Sequence, residues 1–154
     1  MILRAGAAAV AALAAAGLVA VIVSACGGSS ESASRFRAGA TGVCTRALDE
    51  GARLRPPAFP AGIAAFLRRG TAVLRTEHAQ LTTLRPPSED AGAYSAAVEA
   101  LGREVTILTA MVRDLDRGAD PRSTIKTGQH RLAPVEAHGN AAWRTLDVPA
   151  CVSR

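Results

Sequence analysis

SEDAGAYSAAVEALGREVTILTAMVRDLDRG, residues 88–118, decides the fold class. Tyr94, Val98, Leu101, Val105, Leu108, Val112 and Leu115 recur in alternating steps of four and three. That rhythm lines one face of an α-helix, whereas strand side chains would alternate every second residue. Ile107 and Met111 widen the stripe. Ser88 reads as the N-cap, with Glu89 and Asp90 favourable to the helix dipole in the first turn. Arg117-Gly118 closes the helix.

The same rhythm flanks it on both sides. Upstream, Ile63, Leu67, Gly70, Leu74, Glu77, Leu81 and Leu84 mark a second helix over about residues 61–84, stopped by Pro86-Pro87. Before that, Val43, Cys44, Ala47, Leu48 and Gly51 share a face of a first helix, about residues 41–54. Pro56 and Pro57 end it, and RPPAFP (residues 55–60) reads as extended. Downstream, Asp120 caps a fourth helix with Pro121 at its first position. Ile125, Gly128, Leu132, Val135, Gly139, Ala142 and Leu146 form its stripe, and Pro134 predicts a kink around residues 130–134.

Lengths suggest the topology. The second to fourth helices come to ~36–44 Å and the first to only ~20 Å. RPPAFP adds up to ~19 Å if polyproline-like, which makes up the difference. The expected fold is therefore all-α, an up-down-up-down four-helix bundle with a short first helix. In that topology the start of the first helix and the end of the fourth meet at one end, where Cys44 and Cys151 fall.

Composition agrees. Aromatic residues make up 3% of the chain, fewer than a β-sandwich normally carries, and Ala and Leu favour helices. The bias to Arg over Lys points to a GC-rich genome. Residues 44–87 hold seven Arg against three acidic residues, a balance suited to anionic lipid or wall polymer, or simply to a solvated face.

The N-terminus supplies an address. Met1-Ile2-Leu3-Arg4 is followed by an uncharged stretch from Ala5 to Ala25, the pattern of an export signal. Val23-Ser24-Ala25-Cys26 resembles a bacterial lipobox. The resemblance implies a diacylglyceryl group on the Cys26 thiol and removal of residues 1–25. A retained transmembrane helix and an ordinary signal cut after Ala25 are the alternatives. The implied location is the extracytoplasmic side of the cell membrane, lipid-anchored. With Cys26 spent on lipid, Cys44 and Cys151 remain, and an oxidising compartment favours their pairing at the membrane-proximal end. Residues 26–39 read as the lipidated Cys26 and a flexible Gly/Ser tether, and residues 40–154 as the bundle domain. Within the tether, Phe36 is placed either at the membrane surface or against the base of the domain.

Cys44, Leu84-Arg85-Pro86-Pro87 and Ala142-Trp143-Arg144-Thr145-Leu146 leading to Cys151 resemble a set of small actinobacterial helical lipoproteins. The shared pattern is Cys, Leu-x-Pro-Pro, Ala-x-x-Leu-(Gly), Cys, and Asp147 stands where those proteins usually have Gly. The resemblance implies a helical bundle and assigns no activity.

Catalytic signatures are absent from the sequence. No Glu is followed three residues later by His, as a di-metal bundle needs. There is no His-Glu-x-x-His, Gly-x-Ser-x-Gly or phosphate-binding loop. Asp114 to Asp120 resembles a calcium loop only in its acids, with Ile125 where the bidentate Glu belongs. No enzyme, metal site, cofactor or nucleic-acid partner is expected. Glu77 is the anomaly, a carboxyl inside an apolar stripe. His78 and His138 lie at stripe edges, facing each other if the second and fourth helices approach, and His130 points away. Glu77, His78 and His138 are thus the candidate ligand-binding residues.

Two functions follow. The first is a membrane-tethered, non-enzymatic module binding an envelope partner (a protein, lipid or wall polymer). The alternative is a small-molecule or metal carrier with a cleft near Glu77 and His78, between RPPAFP and the second and fourth helices. A carrier needs a cavity lined by those residues, whereas an interaction module needs a filled core and a patterned outer face.

Overall fold

The computed structural model describes residues 27–152, with side chains from residue 32 onward. Residues 1–25, expected as an export leader, and Cys26 lie outside the described residues. Four helices account for the fold: α1 (Gly27–Ala52), α2 (Ile63–Leu81), α3 (Ala91–Asp116) and α4 (Pro121–Thr145), followed by a 3-10 turn at Pro149–Cys151. They pack as an up-down-up-down bundle, and the described residues contain no strand. No helix among the described residues is long and apolar enough to cross a membrane.

The first helix is not short. Residues 27–39, expected as a flexible tether, are helical and continuous with the rest of α1. Phe36, Ala40, Val43 and Cys44 are buried together. Their spacing of four, three and one residues is a helical face, and burying Phe36 outweighs the weak helix propensity of the Gly/Ser residues around it. The helix following RPPAFP is instead the shortest of the four, at 19 residues. Gly62, at φ 79°, stands at its N-terminus, and Thr82 to Leu84 form a turn rather than its last residues.

Other helix ends also differ from expectation. Ser88 does not cap α3; its hydroxyl donates to Glu89, and a turn carries the chain to Ala91. Asp120 does cap α4, accepting from the Ser123 amide at 2.8 Å, with Pro121 next. That helix continues through Pro134 unbroken. Pro134 is exposed, so water can serve the His130 carbonyl that its missing N–H leaves free.

The packed core lies at one end of the bundle. Trp143, Leu81, Leu101, Leu146, Val148, Cys44 and Cys151 are all fully buried there. Three of the five aromatic residues meet at this base: Phe36 stands edge-on to Tyr94 at 5.0 Å, and Tyr94 edge-on to Trp143 at 6.0 Å. The Tyr94 hydroxyl donates to the Leu81 carbonyl at the end of α2. Arg37 donates from Nε to the Leu146 carbonyl at 2.9 Å, a cation at the C-terminus of α4. The Cys44–Cys151 disulfide closes the same end, with Cα atoms 5.2 Å apart.

A left-handed cap steers the chain into that disulfide. Asp147, at φ 56°, follows α4. Its amide bonds to the Arg144 carbonyl at 3.1 Å, and the Val148 amide to the Trp143 carbonyl at 3.2 Å. The reversal turns the chain back along α1, and Val148 buries beside Trp143 in the core.

Candidate functional site

Away from the base, the two helix pairs behave differently. α3 and α4 approach closely because α4 presents glycines to α3. A Cβ on Gly139 would sit 3.0 Å from the Ala100 methyl, and one on Gly128 would collide with Met111 Sδ at 2.2 Å. α1 and α2 diverge instead, leaving a cleft of about 360 Å³ between them.

The cleft is built mostly from small and aliphatic side chains, with the Phe66 ring of α2. α1 contributes Ala47, Leu48 and Gly51, with Leu54 just beyond its end; α2 contributes Leu67, Gly70, Leu74 and Glu77; Leu108 of α3 forms part of the floor. A Cβ on Gly51 would meet nothing within 4 Å, and one on Gly70 would only touch Leu54 Cδ1 at 3.9 Å. The glycines therefore give the cleft its width without being required by close packing. At the end nearer the base, Arg46 Nη2 donates to Gln80 Oε1 at 3.0 Å and ties α1 to α2. Glu77 sits just above this tie, lining both the cleft and a small crevice shared with Val43, Arg46 and Gln80.

Glu77 is 2% exposed, as its place in the apolar stripe requires. Thr71 is the other buried polar residue of the cleft, and its hydroxyl donates to the Leu67 carbonyl at 2.7 Å. Glu77 is the one ionisable side chain among the lining residues.

Sequence reasoning missed Glu104, which is also buried. It lines a second cavity of about 200 Å³ with Leu132, Glu136 and Asn140. Leu74 and Leu108 line both spaces and so form the partition between them. The antiparallel register of α2 and α3 is marked by Arg68–Asp116 at 2.7 Å, Arg75–Thr109 at 3.3 Å, and His78 against Gly102. It puts Glu77 and Glu104 at the same level of the bundle. The signal for Glu104 was its spacing, three residues from both Leu101 and Ile107.

The structure does not bring the histidines together. His78 lies against α3, where a Cβ on Gly102 would come within 3.0 Å of its Nε2. His138 is exposed on α4, as is His130. Neither His78 nor His138 lines the cleft. The cleft lies between α1 and α2, and no residue of α4 or of RPPAFP lines it. Among the described residues, no group of three or more His, Cys, Asp or Glu is arranged to hold a metal ion. The acidic run at Asp114–Asp120 is the end of α3, with Gly118 at φ 85°, and the cap of α4.

No family model, curated protein or solved structure matches this chain.

Proposed function

We propose that the protein is a non-enzymatic carrier that holds a small apolar molecule between α1 and α2, at the outer face of the cytoplasmic membrane. The observation that carries this reading is the cleft itself. Its volume of about 360 Å³ lies in the range of ligand sites, and its walls are mostly apolar, Phe66 among them. Core packing is concentrated at the disulfide-closed base, so the cleft is backed by a rigid element. The lipobox-like Val23-Ser24-Ala25-Cys26 supports export and anchoring, and a disulfide suits an oxidising compartment. In this arrangement the lipid on Cys26 tethers the base end and the cleft faces away from the membrane.

The test is native mass spectrometry of the full chain purified from its host membranes. Extra mass that is retained by the wild type and lost in Gly51→Leu supports a carrier, because Gly51 lines the cleft and a Cβ there meets only open space. A wild-type chain carrying only its lipid returns the function to an envelope partner bound on the outer surface. Anchoring is checked separately. Cys26→Ala should lose the lipid mass, and an unchanged mass with a retained leader would sink the anchor.

A further inference from the structure

We infer that the molecule held in the cleft is a single-chain amphiphile with an acidic head: one hydrocarbon tail between α1 and α2, and a carboxylate or phosphate at the outer rim. This deepens the carrier reading and rests on it. Shape selects the tail. The lining runs from Ala47 to Leu54 on one wall and from Phe66 to Glu77 on the other, ~10 Å and ~16 Å along the helix axes. Over such lengths, about 360 Å³ leaves a cross-section of roughly 20–35 Å². That admits one extended chain and is too narrow for a fused ring system. The two ends of the cleft differ. At the base end the Arg46–Gln80 bond ties the walls together, and Glu77 there is already engaged within the protein. The rest of the lining around it is apolar, which suits the methyl end of the tail. The other end, at Leu54 and Phe66, is bordered by arginines. Arg53 lies seven residues beyond Arg46, two turns along the edge of α1 that reaches Gln80. Arg69 lies eleven residues before Gln80, three turns along the facing edge of α2, and Arg55 follows Leu54. All three are exposed, and among the described residues none of their guanidinium groups makes a hydrogen bond or ion pair. Other arginines on these helices are spent: Arg46 on Gln80, Arg68 on Asp116 and Arg75 on Thr109. Asp49 and Glu50, one turn before Arg53, are the nearest acids in sequence and leave the rim net positive. An acidic head can take charge-assisted, bidentate bonds from these guanidinium groups, whereas an ammonium is repelled and a hydroxyl gains little.

The experiment uses the full chain in lipid nanodiscs, offered dodecanoate, dodecyl phosphate, dodecanol, dodecylamine or cholesterol, with bound adducts counted by native mass spectrometry. Wild type and variants are compared in identical nanodiscs, so partition of each probe into lipid cancels. The two acidic probes are expected to bind roughly tenfold more tightly than dodecanol, the scale of two or three exposed ion pairs, and dodecylamine more weakly still. Either order between carboxylate and phosphate supports the inference and identifies the head. Added salt should shrink the preference, because the paired charges are exposed. The triple variant Arg53→Gln/Arg55→Gln/Arg69→Gln should remove it while leaving dodecanol binding in place. Arg103→Gln/Arg131→Gln/Arg144→Gln, which removes the same charge from α3 and α4, should keep it. Gly51→Leu should abolish binding of every chain probe. Equal affinity for the four chain probes, an acidic preference that survives the first triple variant or falls equally in the second, or cholesterol bound as tightly as dodecanol overturns the inference and leaves the carrier reading standing. Failure of every probe to bind wild type overturns both. A thermal melt of each variant guards against misfolding.

Discussion

Gly139 of α4 faces Ala100 of α3 so closely that a Cβ on the glycine would lie 3.0 Å from the alanine methyl. Both are anchored directly to helix backbone, so neither can swing aside. Gly139→Ala should force the helices apart and cost ~1–3 kcal/mol, read as a lower midpoint in urea. Gly51→Ala provides the opposite case. Its Cβ meets nothing, and it should gain up to ~1 kcal/mol through reduced backbone freedom in the unfolded chain. Similar effects at the two positions would show that the α3–α4 seam is looser than its geometry.

Removing the disulfide tests the base. The bond joins residues 107 positions apart within the fully buried cluster. Cys44→Ala with Cys151→Ala should lose up to ~4–5 kcal/mol on the chain-entropy estimate. The check is thermal unfolding of oxidised, reduced and doubly substituted chains. Reduced and substituted forms should melt together, well below the oxidised form.

Asp147 carries a conformational cost that glycine would relieve. Its φ of 56° is the left-handed region in which a Cβ is disfavoured. Its carboxylate also sits at the C-terminal, negative end of α4. Asp147→Gly should raise stability by ~0.5–1 kcal/mol, measured by chemical denaturation. A loss of stability would mean that the Asp147 side chain makes a contribution greater than its backbone cost.

Tyr94 predicts an alkaline limb. Burial pushes its pKa from the usual 10.0 up to about 12, because the phenolate would be desolvated among Phe36, Trp143 and Leu81. The folded state therefore holds the proton more tightly than the unfolded chain. Its contribution, up to ~2 kcal/mol, is fully present below pH 10 and is lost as pH rises through about 12. Tyr94→Phe should flatten this limb and cost ~1 kcal/mol at neutral pH through the lost bond to the Leu81 carbonyl. The measurement is urea stability at a series of pH values between 8 and 12; a wild-type profile parallel to that of the variant would refute the assignment.

Much of this architecture is legible in residue order, because it rests on local rules. The stripe from Tyr94 to Leu115, the Asp120-Pro121 cap and the proline stops each act within a few residues, and they yield four helices in the right order. The Cys44–Cys151 pairing is legible from the cysteine count, although Cys44 lies inside the long α1 and not at its start. Glu77 is legible as a buried carboxyl because a helical stripe has only one inward side.

What no single stripe contains is the distance between helix axes, and the tertiary structure alone decided that. Gly128 and Gly139 draw α4 against an α3 face made of Ala97, Ala100, Glu104, Ile107 and Met111, offset from the heptad that residue spacing favours. That offset buries Glu104 and leaves His138 in solvent. Phe36 likewise has partners only once Tyr94 and Trp143 arrive from α3 and α4, and their burial recruits residues 32–39 into α1. With aromatic mass gathered at the base, Ala47, Gly51 and Gly70 are too small to close the space between α1 and α2. The cleft is the consequence: helix identity follows from neighbours in sequence, but the volume between helices follows from which side chains meet across it.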